Sequence, residues 1–251
     1  MNNVSVLLHR MNIKKHIPNT LTLLNLLCGS VAIKFAVNGQ MSIAGALMML
    51  SLLFDFFDGF AARLLGVSSA IGKDLDSLAD MVTFGVLPGF FMFYLLQQCN
   101  TGTDAYSYLR YLPYLGFVIT LFSALRLAKF NNDTRQSDRF IGVPTPANSM
   151  LICSLGVLYQ AEPAQMLWLM NLPFLLILTG VCSYMLVSEL PLIALKFKHF
   201  GFAGNQYRYL LLGLSLVLLV FLKIAAVPLI IVLYILLSIV NNIFSNKAAK
   251  S

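Results

Sequence analysis

Eight stretches of the sequence are apolar over about the length that an α-helix needs to cross a bilayer, roughly 20 residues. They run at about 19–37, 42–65, 75–97, 111–129, 146–159, 166–187, 209–222 and 225–243. Hydrocarbon offers no partner to a bare peptide N–H or C=O, so a chain of this pattern must satisfy its backbone internally, as helices. The expected class is all-α, a polytopic transmembrane helical bundle of about eight spans. Six or seven are alternatives, because the fifth and seventh stretches are short and only Lys223 and Ile224 part the last two. With 59% hydrophobic and 11% charged residues, and a mean hydropathy of +0.81, an ordinary soluble domain is excluded.

A net charge of +7 would suggest nucleic-acid binding in a soluble protein. Here the basic residues are spread through short connections between spans, so membrane lipids are the expected partner and nucleic acid is not. Sorting the 17 Lys and Arg residues among those connections puts 14 on one side, including Arg63, Lys73, Arg126, Lys129, Arg135 and Arg139, and only Arg110 and Lys223 on the other. The positive-inside bias makes the first side cytoplasmic and places both termini there, which favours an even count. Lys34, near the outer end of the first span, has a stem long enough to reach the interface. Arg10, Lys14 and Lys15 precede the first span as in a signal peptide, but the apolar stretch is of full spanning length and lacks a small-x-small cleavage site. It is expected to remain as a membrane helix. Residues 1–18 then form a cytoplasmic segment, in which 4–17 reads either as an interfacial helix or as a basic tail. Cys28, Cys99, Cys153 and Cys182 show no paired spacing, so neither a disulfide framework nor a zinc site is expected.

Against this background the acidic residues stand out. Five of the ten fall between Asp55 and Asp80. Asp55 and Asp58 are three apart near the end of the second span; Asp76 and Asp80 are four apart at the start of the third, so each pair shares a helix face. The connection at about 66–73 returns the chain to the same side, and the two pairs converge at one membrane boundary. A carboxylate in hydrocarbon costs several kcal/mol unless it is neutralised, about 3 kcal/mol on insertion scales. Four together imply a bound cation or a polar ligand. Oxygen-only ligands suit Mg²⁺ or Mn²⁺, and two ions can share four carboxylates while leaving positions open to a pyrophosphate. Gly59 and Ala62 remove bulk one turn apart, Arg63 adds a planar cation for phosphate or base, and Gly72 is read as the turn into the third helix. Asp74 falls off the pattern and reads as a solvated loop carboxylate.

The spacing Asp55-x-x-Asp58-Gly59-x-x-Ala62-Arg63, eight residues, Gly72-x-x-x-Asp76-x-x-x-Asp80 resembles, at every fixed position, the motif of the CDP-alcohol phosphotransferases. The resemblance implies that fold around a core at 19–150, with 151–251 as additional membrane helices and a short tail. It also implies a cytoplasm-facing site that moves a phosphoryl-alcohol unit from a CDP-activated donor to a hydroxyl, releasing CMP. Flanking stretches at 17–25, 76–88, 125–131 and 140–147 are similar to those of the membrane-embedded CDP-diacylglycerol–serine O-phosphatidyltransferases. On that resemblance the partners are CDP-diacylglycerol and L-serine, the assembly is a homodimer, Asp55, Asp58, Asp76 and Asp80 hold metal, and Asp80 is also the catalytic base. Two positions depart from the pattern: Lys129 stands where arginine is usual, and Asn148 where small apolar residues are common.

Other residues carry two readings each. Asn19 and Thr22 are nucleotide contacts or an ordinary helix start after Pro18. Arg126 and Lys129, with Asn131 as a polar contact, hold the lipid phosphate or the serine carboxylate, or they are plain positive-inside charge. Gly85-x-x-x-Gly89 is a helix-packing or dimer contact, or marks a kink at Pro88. Alternative functions are a transferase of the same family acting on glycerol phosphate or inositol phosphate, an intramembrane prenyltransferase, and an ion or proton transporter. A prenyltransferase would carry a second acidic motif and a transporter would place its acids near mid-membrane; neither is the pattern here.

Overall fold

The computed structural model of the chain describes residues 2–99, 107–133, 140–193, 201 and 205–248. Helix α1 spans Asn2–Val37 and α2 Met41–Leu65. Helix α3, Ala70–Asp80, runs through a π-helical turn, Met81–Val86, directly into α4, Leu87–Cys99. A 3₁₀ stretch, Ser107–Phe117, leads into α5, Val118–Asn132. There follow α6, Thr145–Ala161; α7, Leu172–Val187; α8, Gln206–Leu222; and α9, Ala226–Ala248. Two short strands, β1 Phe140–Ile141 and β2 Pro191–Leu192, pair antiparallel with Phe140 opposite Leu192.

The bundle is assembled around α1 and α2, a hairpin closed by Gly39 in the left-handed region at φ 72°. Gln160, at the end of α6, clamps that turn: its Nε2 donates to the Gly39 carbonyl, and its Oε1 accepts from the Ser42 N–H at 2.7 Å and the Ser42 hydroxyl at 2.9 Å. One of the backbone donors left without an intrahelical partner at the start of α2 is thereby satisfied. The core fills with Ala32, Met41, Met48, Phe84, Phe91, Leu95 and Ile152, all under 4% exposed. Small residues let the helices approach closely. A Cβ on Gly156 would come within 2.4 Å of Phe91, and one on Gly45 within 2.5 Å of Val157. The large exposed side chains, such as Leu27, Leu53, Leu121 and Val220, are apolar, as a lipid-facing surface requires.

Among the described residues, five helical stretches are long and apolar enough to cross a membrane: His16–Val37, Met41–Leu65, Ala70–Cys99, Leu109–Asn132 and Gln206–Ile243. The sequence leads one to expect about eight, and the difference has local causes. α6 has 17 residues and α7 has 16, both short of a full crossing. The expected sixth span loses its first turns to a 3₁₀ segment, Leu167–Leu169. Gln206–Ile243 counts as one stretch of 38 residues although the chain turns at Lys223, φ 51°, and packs α8 against α9.

One further detail differs from expectation, and two others bear on readings left open above. The connection between the acidic helices is shorter than 66–73, because Ser69 caps α3 by accepting the Gly72 N–H at 3.0 Å. Gly72 therefore lies inside the first turn of α3, and the reversal is made by Gly66, φ 62°, whose N–H reaches the Ala62 and Arg63 carbonyls. Residues 4–17 are helical but continuous with the first crossing, since α1 passes through Pro18 unbroken. Gly85 and Gly89 seat α5 within the chain: a Cβ on Gly85 would meet Ser123 at 3.1 Å, and one on Gly89 would meet Thr120 at 2.4 Å. Pro88, which cannot supply a helical N–H, follows directly on the π-helical turn.

Candidate active site

The hairpin of α2 and α3 brings the acidic residues together. Asp55, Asp76 and Asp80 each offer a carboxylate oxygen within 4.8 Å of the others. Asp58, only 6% exposed, is held one turn along α2 by the Thr22 hydroxyl, which donates to its Oδ2 at 2.6 Å. The donors are all hard oxygens, the set that fits Mg²⁺ or Mn²⁺ rather than a thiolate-seeking metal. Crowded negative charge at the edge of a low-dielectric bundle also needs a cation nearby.

Helix α1 supplies a second wall that the sequence only partly signals. Asn25, fully buried, donates through Nδ2 to Asp80 Oδ1 at 3.4 Å, while its main-chain oxygen accepts from the Ser51 hydroxyl at 3.2 Å and the Thr83 hydroxyl at 3.3 Å. One residue thus ties α1, α2 and the π-helical turn together beside Asp80. Its Oδ1 is buried with no protein partner. The available signal was its spacing, since Asn19, Thr22 and Asn25 are polar residues three apart along one face of an apolar helix.

Between α1, α2 and the start of α3 lies a cavity of about 270 Å³, bordered by Asn19, Thr22, Asp58, Gly59, Ala62, Gly72 and Asp76. Asp58, Gly59, Ala62, Gly72 and Asp76 belong to the motif, and Asn19 and Thr22 are the candidate nucleotide contacts on α1. The space depends on Gly72: a Cβ there would stand 3.0 Å from Ser69 Oγ and 3.2 Å from Asn19 Oδ1. Arg63 is exposed and reaches back over Gly59, its guanidinium 3.6 Å from where a Gly59 Cβ would be. Lys73, not anticipated from the sequence, also lines the cavity and donates from Nζ to the Asn131 carbonyl at 3.0 Å.

The second basic group divides. Arg126, 7% exposed, donates to Thr145 Oγ1 at 3.3 Å, lies over the Phe130 ring at 5.1 Å, and is close enough to Asp80 for their charges to interact. Its Nε is buried without a partner. Arg126 and Lys129 border a second cavity of about 370 Å³, walled on the other side by the residues that follow α7. Asn131 turns instead toward α3, where its Nδ2 donates to Ser77 Oγ at 2.8 Å. Asn148, on α6, is buried with its Nδ2 unpartnered. Arg135 and Arg139 lie outside the described residues.

A sequence model of the family described as CDP-alcohol phosphatidyltransferase matches residues 15–196. The chain is 34% identical over 192 residues to a CDP-diacylglycerol–serine O-phosphatidyltransferase of Bacillus subtilis, an alignment that takes in 74% of this chain and 91% of the relative. It is 35% identical over 137 residues to the enzyme of the same name from Helicobacter pylori strain J99, covering 54% of each. An archaetidylserine synthase of Methanothermobacter thermautotrophicus is 34% identical over 140 residues, covering 55% of this chain and 56% of the relative. With these last two the chain thus aligns over about half of their length.

Proposed function

The chain belongs to the CDP-alcohol phosphatidyltransferase family, and from that premise we propose that it transfers the phosphatidyl group of CDP-diacylglycerol to the hydroxyl of L-serine, giving phosphatidylserine and CMP. The observation that carries this reading is the convergence of Asp55, Asp76 and Asp80 beside a cavity where Gly72 leaves no room for a side chain. The names borne by its relatives in bacteria and in an archaeon support serine as the acceptor.

Asp55, Asp58, Asp76 and Asp80 would hold Mg²⁺ or Mn²⁺, two ions on this reading, and the bound metal would neutralise the pyrophosphate and the charge growing on departing CMP. The nucleotide lies in the cavity against Asn19, Thr22, Gly59, Ala62 and Gly72, with Arg63, whose guanidinium lies over Gly59, as a phosphate partner. Serine's hydroxyl is a weak nucleophile at neutral pH and needs a base. Asp80 takes that role: the serine oxygen bonds to the β-phosphorus, which bears diacylglycerol, as the bond from that phosphorus to the anhydride oxygen breaks. CMP departs with the electron pair and the hydroxyl proton passes to the Asp80 carboxylate. Asn25 fixes one Asp80 oxygen and so the plane of the base. Arg126 and Lys129 hold the serine carboxylate or the lipid phosphate.

The protein crosses the membrane about eight times on this reading, which counts the short helices α6 and α7 as crossings, with the site and both termini on the cytoplasmic side, and it works as a homodimer. The deciding experiment is CMP release by the purified protein in detergent, with CDP-diacylglycerol and Mn²⁺ or Mg²⁺, comparing L-serine, glycerol 3-phosphate and inositol phosphate. Release that requires both serine and metal is expected. Release with a phosphorylated acceptor instead would move the substrate and leave the reaction class standing, whereas no release with any acceptor would sink both.

A further inference from the structure

The second cavity carries charges of both signs. Arg126, Lys129 and Asp133 follow one another along one face of α5, at intervals of three and four residues, and Glu189 stands opposite on the link from α7 to β2. Among the described residues, two cations and two carboxylates line one space of about 370 Å³. We propose that this cavity is a receptor for a zwitterionic amino acid, in which Glu189 and Asp133 bind the ammonium group and thereby select serine against anionic alcohols. The inference rests on the reaction proposed above and names the residues that set its acceptor.

Three observations carry it. Arg126 is buried, borders the cavity, and keeps an unpartnered Nε, which is an open donor for a carboxylate. The same guanidinium donates to Thr145 Oγ1 at 3.3 Å and lies over the Phe130 ring, so its position at the cavity edge is fixed before a ligand arrives. Glu189 is set in place by backbone bonds on either side. The Gly142 N–H donates to the Leu190 carbonyl at 2.9 Å and the Val143 N–H to the Met185 carbonyl at 2.9 Å. That approach is open only to glycine at 142, where φ is 75° and a Cβ would stand 2.7 Å from the Leu186 carbonyl.

The carbonyl end of α5, where Asp133 closes the helix, adds partial negative charge on the same side. Both carboxylates are engaged elsewhere in the chain as well, and what matters is the sign of the charge they bring. An ammonium group gains there, and a phosphate monoester meets like charge. A lining that carries both signs of charge favours a ligand that carries both, by attraction at each end.

The test compares acceptors in the full-length protein by CMP release. L-serine is set beside 3-hydroxypropanoate, which keeps the carboxylate and hydroxyl and lacks the ammonium, and beside glycerol 3-phosphate. Glu189→Gln is expected to raise the KM for L-serine about tenfold, to leave kcat and the KM for CDP-diacylglycerol within about twofold, and to leave the KM for the anionic 3-hydroxypropanoate no higher than in the wild type. The wild-type preference for serine over 3-hydroxypropanoate should therefore shrink by about tenfold, with Glu189→Asp restoring part of it. A damaged fold would lower turnover with both acceptors alike, and such a uniform loss in Glu189→Asp as well as Glu189→Gln would overturn the inference. So would an unchanged serine KM in Glu189→Gln and in Asp133→Asn. Failure of the wild-type protein to use serine at all would instead overturn the proposed reaction.

Discussion

A single hydroxyl decides how Asp58 is presented. Thr22 donates to it at 2.6 Å from another helix, and a group that orients a metal-binding carboxylate typically changes metal affinity or activity 10- to 100-fold. Thr22→Val keeps the volume and removes the donor. It is expected to raise the metal concentration for half-maximal activity about tenfold, with Thr22→Ser restoring it; an unchanged metal titration would show that Asp58 needs no such partner. The aspartates themselves should separate. Asp80→Asn is expected to abolish transfer while keeping metal-dependent binding of the CDP-lipid, and Asp58→Asn to lose both. Equal loss of binding in the two would remove the distinct role of Asp80 as base. The four carboxylates were legible in the sequence because helical periodicity alone puts 55 with 58 and 76 with 80. Asn25 was not, since its value comes from contacts with Ser51, Thr83 and Asp80 on other elements, which no local spacing records.

At the scale of helices, most of the site's precision comes from how α1, α2 and α3 end and begin. Gly66 reverses the chain and Ser69 starts α3 within four residues, so the two acidic faces have little freedom to drift apart. At the far end of α2, Gln160 holds the turn from α1 to α2. Gln160→Ala removes three hydrogen bonds to Gly39 and Ser42, each worth about 1 kcal/mol net. The expected outcome is a lower unfolding midpoint in detergent, by about 3 kcal/mol of stability, with KM for both substrates unchanged; a shifted KM would mean that the α1–α2 turn is coupled to the site. Sequence periodicity found the helices but misjudged their edges. Ser69 and Gly72 look like loop residues until the cap between them is seen, and the π-helical turn at Met81–Val86 leaves the apolar pattern of the span untouched. The division of 206–243 at Lys223 was visible only as one charged residue in a long apolar run.

Across the whole molecule the two ends of the bundle differ in kind. The acidic end holds both polar cavities, while the core beyond it is filled by Phe91, Leu95 and Met41, each fully buried. Orientation can be read without activity. In a background with the four native cysteines replaced, Lys223→Cys should react with a membrane-impermeant thiol reagent in intact cells, and Ser68→Cys only after permeabilisation; the reverse pattern would invert the topology. One consequence of placing the acids at one boundary concerns traffic. Donor lipid and finished phospholipid both have their headgroups at the acidic end, so an enzyme of this build returns its product to the leaflet that supplied the substrate. Populating the opposite leaflet then falls to a separate flipping step, and a membrane that relies on such a synthase begins its life lopsided.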